Sequence, residues 1–456
     1  MRRSLVTLFL LPFAMGLACC PTSATVSRVI PRVGSAPAHP LKLRLKRNSP
    51  SSTLTHIVVV IQENRSLDNL MNGFCVNGGS VCANTVTVDP VSGTQLVPAS
   101  LAAPFGLNHS HGAFALEYDY GKMDGFSKEP ALCTKGGHKC GSVFSYVPAP
   151  ETAIYRQMAS VDGVLSDETF ETAQAPSVPA HFYAIAGQSG GYDSDHWAIE
   201  SGNAGSCKSQ AAVSVQILMT TPFPGQTGNS VPTCKDFQTI FDLVANAGHS
   251  WRFYATGDPF WTPTQDIQHL YGSPNWVKPP SQFLTDAANG NLADVSFVTP
   301  SSPSTSDHPA NVKNPAAGPN WVASIVNAVG ETPYWNNTAV VIWWDDWGGW
   351  YDHVVPPTSP VNPDPFEYGF RVPLIVASAY ANVGTVDHTP RTFVSALRLI
   401  EETFNLPSLG TTDQYEPDGL DSMFNFSQTP ITYTPLGGSN ARPFLHLRHT
   451  NHVPAR

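Results

Sequence analysis

A chain of 456 residues can hold one large domain or two ordinary ones, and its composition excludes several classes. Charged residues are only 13 % and aromatics 10 %, with 41 Pro and 35 Gly, which suits a loop-rich globular protein with a sizeable core. The net charge of −10 argues against binding the phosphate backbone of nucleic acid. Small anionic substrates remain open, because a bound cation can dominate its local field.

Arg2–Arg3, an apolar stretch from Leu5 to Leu17 and small residues at Ala18-Cys19-Cys20 and Thr22-Ser23-Ala24 read as a signal peptide over 1–24. The apolar stretch is too short for a spanning helix, so a secreted or periplasmic protein is expected, with no stable membrane span. Cleavage before Cys19 would allow a lipid-anchored form, but Gly16 stands where a larger aliphatic residue is usual and favours ordinary cleavage. Residues 25–52 lack periodicity and read as a linker. Of the eight cysteines, six lie downstream as Cys75/Cys82, Cys133/Cys140 and Cys207/Cys234. Many connectivities are open to them. Three local disulfides are the simplest in an oxidising compartment, and the spacings do not fit a zinc finger.

His56 to Ile61 is an apolar, β-branched run that predicts a strand buried on both faces. Residues 72–150 carry many Gly, Asn, Ser and Pro and predict a loop-rich insertion. Beyond it, Ala153 to Met158 starts a helix, and His181 to Ala186 reads as a strand. Phe237, Ile240, Phe241 and Val244 share a helical face that Gly248 ends. Trp251 to Ala255 and Val295 to Thr299 read as strands. Pro319 opens a helix with Trp321, Ile325, Ala328 and Val329 on one face. Ala339 to Trp344 is a second doubly buried strand, and Arg371 to Ser378 a strand in which Pro373 hints at an edge or a start. Thr389-Pro390 caps a helix carrying Phe393, Leu397, Ile400 and Phe404. Strands alternating with helices imply an α/β sandwich with a mostly parallel sheet, over residues 53–410. Residues 411–456 read as an irregular tail.

Both doubly buried strands end in acid. The first runs into Gln62-Glu63-Asn64-Arg65-Ser66, the other into Asp345-Asp346 followed by Gly348–Gly349. Asp is common at strand ends as a turn former. Adjacent carboxylates at a buried strand end are nonetheless costly unless a cation or donors compensate. In open parallel sheets, ligands gather beyond the carboxyl ends of the strands. If the two strands pair, Glu63, Asn64, Asp345 and Asp346 form an oxygen-rich site for one divalent cation, with Ca, Mg, Mn, Zn or Fe as candidates.

These segments, together with Gly121 to Phe126, Pro176-Ser177-Val178-Pro179, Asp307-His308-Pro309, Asp352-His353-Val354 and Gly369-Phe370-Arg371-Val372-Pro373, resemble in order the bacterial phosphoesterase family. That family includes phospholipases of the C type and secreted acid phosphatases. The resemblance implies a three-layer, alkaline-phosphatase-like fold and a phosphoester substrate, either a phospholipid headgroup or a small phosphomonoester. It implies metal ligands at Glu63, Asn64, Asp345 and Asp346, a nucleophile at Ser177, and His109 and His308 beside the phosphoryl group. Asp307 and His353 belong to matched segments and are expected to help bind substrate. The chain departs from the pattern at three places. Asp346 replaces a usual Glu, Pro179-Ala180-His181 replaces Pro-Asn-Arg, and Leu67 replaces an aromatic.

A serine hydroxyl needs activation, and a cation that polarises the phosphoryl oxygen supplies it. The expected reaction is attack by Ser177, a phosphoserine, then hydrolysis, with Ser189 and Thr172 as fallback nucleophiles. His111, His249 and the Trp251, Trp343, Trp344, Trp347 and Trp350 rings read as structural. Two other classes stay open: a non-catalytic phosphate or glycan binder on the same scaffold, which would need no nucleophile, and a sulfatase-like enzyme, whose usual CxPxR-type motif is absent around Ser177.

Overall fold

Eight strands form the central sheet: β1 His56–Gln62, β2 Gly163–Ser166, β3 Trp251–Tyr254, β4 Trp276–Val277, β5 Val295–Val298, β6 Thr338–Trp344, β7 Leu374–Ser378 and β8 Val386–Asp387. The computed structural model describes residues 53–129, 141–191, 207, 214–218, 227–232, 234–257, 261–357 and 368–437. The signal peptide, the linker and the Cys133/Cys140 pair lie outside them. Cys75–Cys82 and Cys207–Cys234 are both bonded.

The strands lie in the order β4-β3-β5-β1-β6-β7-β2-β8. Of these, β7 runs antiparallel to both neighbours, and the other pairings are parallel. Pro373 stands just before β7, which is an inner strand and not an edge. Every residue of β2, β5, β6 and β7 is buried, so the sheet is covered on both faces, as the β-branched runs demand.

The helices used below are α1 His111–Tyr118, α2 Ser177–Ala186, α3 Ile240–Asn246, α4 Ala317–Gly330 and α5 Ser395–Phe404. The expected strand at 181–186 is instead the second half of α2. All ten residues of α2 are buried, so it shows no amphipathic period, and a short apolar run then looks the same in either state. Gly187 ends α2 in the left-handed conformation, at φ 60°. Helix α4 begins two residues before Pro319, and its buried face includes Val322, Ile325, Val326 and Val329. Helix α5 starts well after Thr389-Pro390, because Arg391–Thr392 first pairs with Thr169–Phe170. The segment after residue 410 is irregular but buries Leu420, Met423 and Leu436, and the Thr411 and Thr412 hydroxyls donate to Ala186 O and Gly187 O at the end of α2.

The loop-rich region has its own core, in which Leu107, Phe114, Phe126 and Phe144 pack on Trp347, Trp350, Tyr351 and Phe370. Trp343 and Trp344 belong to the main core. The tryptophans are therefore packing residues, as the sequence reading has them.

One buried acid away from the sheet edge gives a stability prediction. In α5, Glu401 Oε1 accepts from the Leu409 N–H at 2.9 Å, and burial, then Asp413, push its carboxyl up to about 8. An unfolded glutamate titrates near about 4.3, so the native state holds the extra proton between the two values. Stability is then fully present below the lower value and is lost as pH rises through the upper one. Glu401→Gln should be near neutral at pH about 5 and stabilise by on the order of 1–3 kcal/mol at pH about 8. Thermal melts at the two pH values check this, and equal shifts at both would contradict it.

Candidate active site

Strands β1 and β6 pair in register as far as Gln62 opposite Trp344, and the Asp345 N–H extends the ladder to Gln62 O at 3.0 Å. The next residues therefore leave the sheet together, placing Glu63-Asn64 beside Asp345-Asp346. Asn64 takes the left-handed conformation at φ 58°, which asparagine tolerates. Asp345 Oδ1 accepts from the backbone N–H of both Asn64 and Asp346, each at 2.8 Å. Gly348, at φ 65°, is needed here, because a Cβ on it would stand 2.2 Å from Asn64 O.

Ser177 is the first residue of α2, directly after Pro176. Its Oγ donates to Asp346 Oδ2 at 2.9 Å and lies 3.4 Å from Asn64 Nδ2. The Asn64 amide also donates to both Asp346 oxygens, at 2.9 and 3.0 Å, and the Gly348 N–H to Oδ1 at 2.7 Å. The structure thus brings Glu63, Asn64, Asp345, Asp346 and Ser177 into one buried cluster at the carboxyl edge of the sheet. A helix start also points orphan N–H groups and the positive dipole end at an incoming anion.

The electrostatics of this cluster are unbalanced. Burial, then Glu63, hold the Asp345 carboxyl well above its usual range; burial, then Asp345, do the same for Asp346. Asn64 Oδ1 and Asp345 Oδ2 are buried without a hydrogen-bond partner among the described residues. Two further buried acids adjoin it. Glu171 accepts from the Trp347 backbone N–H at 2.6 Å, and Glu117, in α1, from its indole Nε1 at 2.8 Å. Burial is the main cause that raises both carboxyls. Sequence reasoning missed these two, since nothing near them in sequence marks an acid that reaches across to Trp347.

It also missed His181. One turn after Ser177 on α2, its Nε2 lies 3.1 Å from Glu63 Oε1 and 3.9 Å from Asp345 Oδ2. Glu63, His181 and Asp345 offer ligand atoms all within 4.8 Å of one another. The signal was the four-residue spacing from Ser177, which places both on one face only if the segment is a helix.

His109 and His308 face each other with ring centroids 5.9 Å apart. Each ties its Nδ1 to a backbone carbonyl, Leu107 O at 2.9 Å and Pro309 O at 2.7 Å, so on both rings Nδ1 is the nitrogen engaged by the backbone. Burial, then His109, bring His308 down to about 4, so it is neutral at ordinary pH. Among the described residues no hydrogen bond joins either ring to Ser177.

Asp307 serves the interior. Its Oδ2 accepts from Tyr155 OH at 2.6 Å and Trp344 Nε1 at 3.3 Å, and its carbonyl from Arg65 Nε and Nη2 at 3.0 and 2.8 Å. These bonds fix the loop that carries His308. His353 sits in a separate group: Nδ1 meets Asp68 Oδ2 at 2.6 Å and Nε2 meets Asn84 Oδ1 at 3.2 Å, with Arg371 bonded to Asp352 at 2.9 and 3.2 Å. Neither side chain is hydrogen-bonded to the Ser177 cluster. Thr172 Oγ1 bonds Thr392 Oγ1 at 3.0 Å within the packing of the β2 exit.

Against known proteins, the profile of the Phosphoesterase family matches residues 54–407. The chain belongs to that family. It is 25 % identical over 377 residues to non-specific phospholipase C1 of Arabidopsis thaliana, covering 73 % of this chain and 62 % of that protein. The chain thus spans about three-fifths of that relative. Phospholipase C A of Mycobacterium tuberculosis (strain ATCC 25618 / H37Rv) is 25 % identical over 447 residues, covering 84 % and 79 %. A solved protein in the alkaline phosphatase superfamily from Vibrio parahaemolyticus covers 81 % of this chain and 72 % of its own at 12 % identity, with a TM-score of 0.35. As a Phosphoesterase family member the chain keeps its departures in telling places. Leu67 is buried at the start of a short helix, Asp346 touches Ser177, and His181 faces Glu63.

Proposed function

We propose that the protein is an exported, metal-dependent phosphoric ester hydrolase that attacks its substrate with Ser177. The observation that carries the reading is the Ser177 hydroxyl, 2.9 Å from a buried carboxylate at the head of a helix, beside open oxygen donors. The donor set fits a cation: Asn64 Oδ1 and Asp345 Oδ2 lack partners, and the neighbouring buried carboxyls call for positive charge. Glu63, Asn64, Asp345 and Asp346 would hold it. When bound, it supplies charge neutralisation at the phosphoryl oxygens and lowers the pKa of a coordinated hydroxyl.

The protein's own groups do the rest. Asp346 Oδ2 orients the Ser177 Oγ–H and takes its proton as Oγ bonds to phosphorus; the bond from phosphorus to the leaving oxygen breaks, and the departing alkoxide takes up a proton from water. The start of α2 faces the developing charge. His308, neutral and with Nδ1 fixed, offers Nε2 to accept a proton from the water that cleaves the phosphoserine, with His109 beside it. A phosphodiester such as a phospholipid then gives the alcohol and the phosphorylated headgroup, and a phosphomonoester gives the alcohol and inorganic phosphate. The names of the relatives support a phospholipid as the ester, and the two disulfides support an oxidising compartment. Among the described residues no helix is long and apolar enough to cross a membrane.

Purified protein, before and after chelation, should be assayed on p-nitrophenyl phosphate, p-nitrophenyl phosphorylcholine and phosphatidylcholine. Turnover that is lost on chelation and returns with added divalent cation is expected. Undiminished turnover in protein that elemental analysis shows to be metal-free would refute metal dependence. Tight binding of all three without turnover would mark a binding protein.

A further inference from the structure

We propose that His181 is a nitrogen ligand of the cation held by Glu63 and Asp345, and that it makes the site select Zn²⁺ or Fe²⁺ over Ca²⁺ and Mg²⁺. This rests on the metal-dependent reading above and narrows it. His181 is fully buried, and its Nε2 lies 3.1 Å from Glu63 Oε1 and 3.9 Å from Asp345 Oδ2. Both separations fall inside the roughly 4.2 Å that two metal–ligand bonds of about 2.1 Å span. Asp345 Oδ2 has no hydrogen-bond partner among the described residues, and neither does Asn64 Oδ1. The imidazole nitrogen and one oxygen each of Glu63 and Asp345, all within 4.8 Å of one another, therefore converge on a common space.

The charge argument points the same way. A histidine adds a donor and leaves the acids needing positive charge. All-oxygen sets suit Mg²⁺ and Ca²⁺, whereas imidazole brings in Zn²⁺ and Fe²⁺. Because His181 and Ser177 stand one turn apart on α2, ligand and nucleophile move as one rigid body, which fixes the distance between cation and hydroxyl. His181 Nδ1 has no hydrogen-bond partner among the described residues, so the ring is oriented by the packing of α2 and not by an outer acceptor.

The test strips the full protein with chelator and reloads it from equimolar Ca²⁺, Mg²⁺, Zn²⁺ and anaerobic Fe²⁺. Elemental analysis should find Zn²⁺ or Fe²⁺, with Ca²⁺ and Mg²⁺ below about a tenth of it. In His181→Asn the Zn²⁺ affinity should fall about 10–100-fold, while Ca²⁺ affinity changes less than about threefold. Pulsed EPR of the Cu²⁺-loaded wild-type protein should show coupling to an imidazole ¹⁴N, a readout that stands even if the variant does not fold. A wild-type protein that prefers Ca²⁺ or Mg²⁺, or shows no nitrogen coupling, overturns the assignment while leaving metal dependence intact. A wild-type protein that retains no cation overturns both readings.

Discussion

Ser177→Ala should reduce release of the substrate's alcohol by at least about a thousandfold, with cation content and melting temperature close to wild type. The substitution removes one oxygen from the first residue of a fully buried helix. Asp346 Oδ1 keeps its bond from the Gly348 N–H and Oδ2 keeps its 3.0 Å bond from the Asn64 amide, so the loss of the 2.9 Å serine bond to Oδ2 leaves no acceptor stranded. A structural role for Ser177 would show as a lower melting temperature with proportionate activity. A nucleophile shows as lost turnover in an intact protein. Substrate labelled at phosphorus adds a second reading, since wild type quenched in acid should carry the label on the peptide containing Ser177. Near wild-type release by Ser177→Ala would remove this residue from the mechanism, and label on Ser189 or Thr172 would move the nucleophile there.

The acid-tipped strands were legible because a run buried on both faces cannot end in carboxylates without compensation. His56–Gln62 and Thr338–Trp344 do pair, in register, so Glu63 and Asp345 emerge side by side. The sequence could not show which side of that edge each histidine would face. His109 and His308 come together from loops some two hundred residues apart, whereas His353, only seven residues beyond Asp346, turns to Asp68 and Arg371 instead. The helix that carries Ser177 is only partly legible in the sequence. A segment buried on every side leaves no periodicity to read, and reading 181–186 as a strand hid the relation between Ser177 and His181. Glu117 and Glu171 were invisible for another reason. Their role depends on reaching Trp347, a contact made only by packing the loop region's core on the Asp345–Trp350 turn.

Asp345→Asn separates the two demands that the proposed function places on this edge, binding a cation and folding without one. Asparagine has nearly the same shape, and its Oδ1 can still accept from the Asn64 and Asp346 N–H groups, both at 2.8 Å in the wild type. What is lost is the charge at Oδ2, the atom left without a hydrogen-bond partner among the described residues and the one proposed to meet the cation. Bound metal should fall below about a tenth of one ion per chain and turnover by at least about a hundredfold. In the metal-free state the effect should reverse. Burial and the neighbouring Glu63 make ionised Asp345 costly, so chelated Asp345→Asn should be more stable than chelated wild type by on the order of 1–3 kcal/mol. Saturating cation should in turn stabilise the wild type more than the variant, because only the wild type gains binding free energy on folding. Four thermal melts, each protein with and without cation, measure the crossover. If the variant is less stable than wild type in chelator as well, the carboxylate is an ordinary structural acceptor and the cation reading of this edge loses its physical basis.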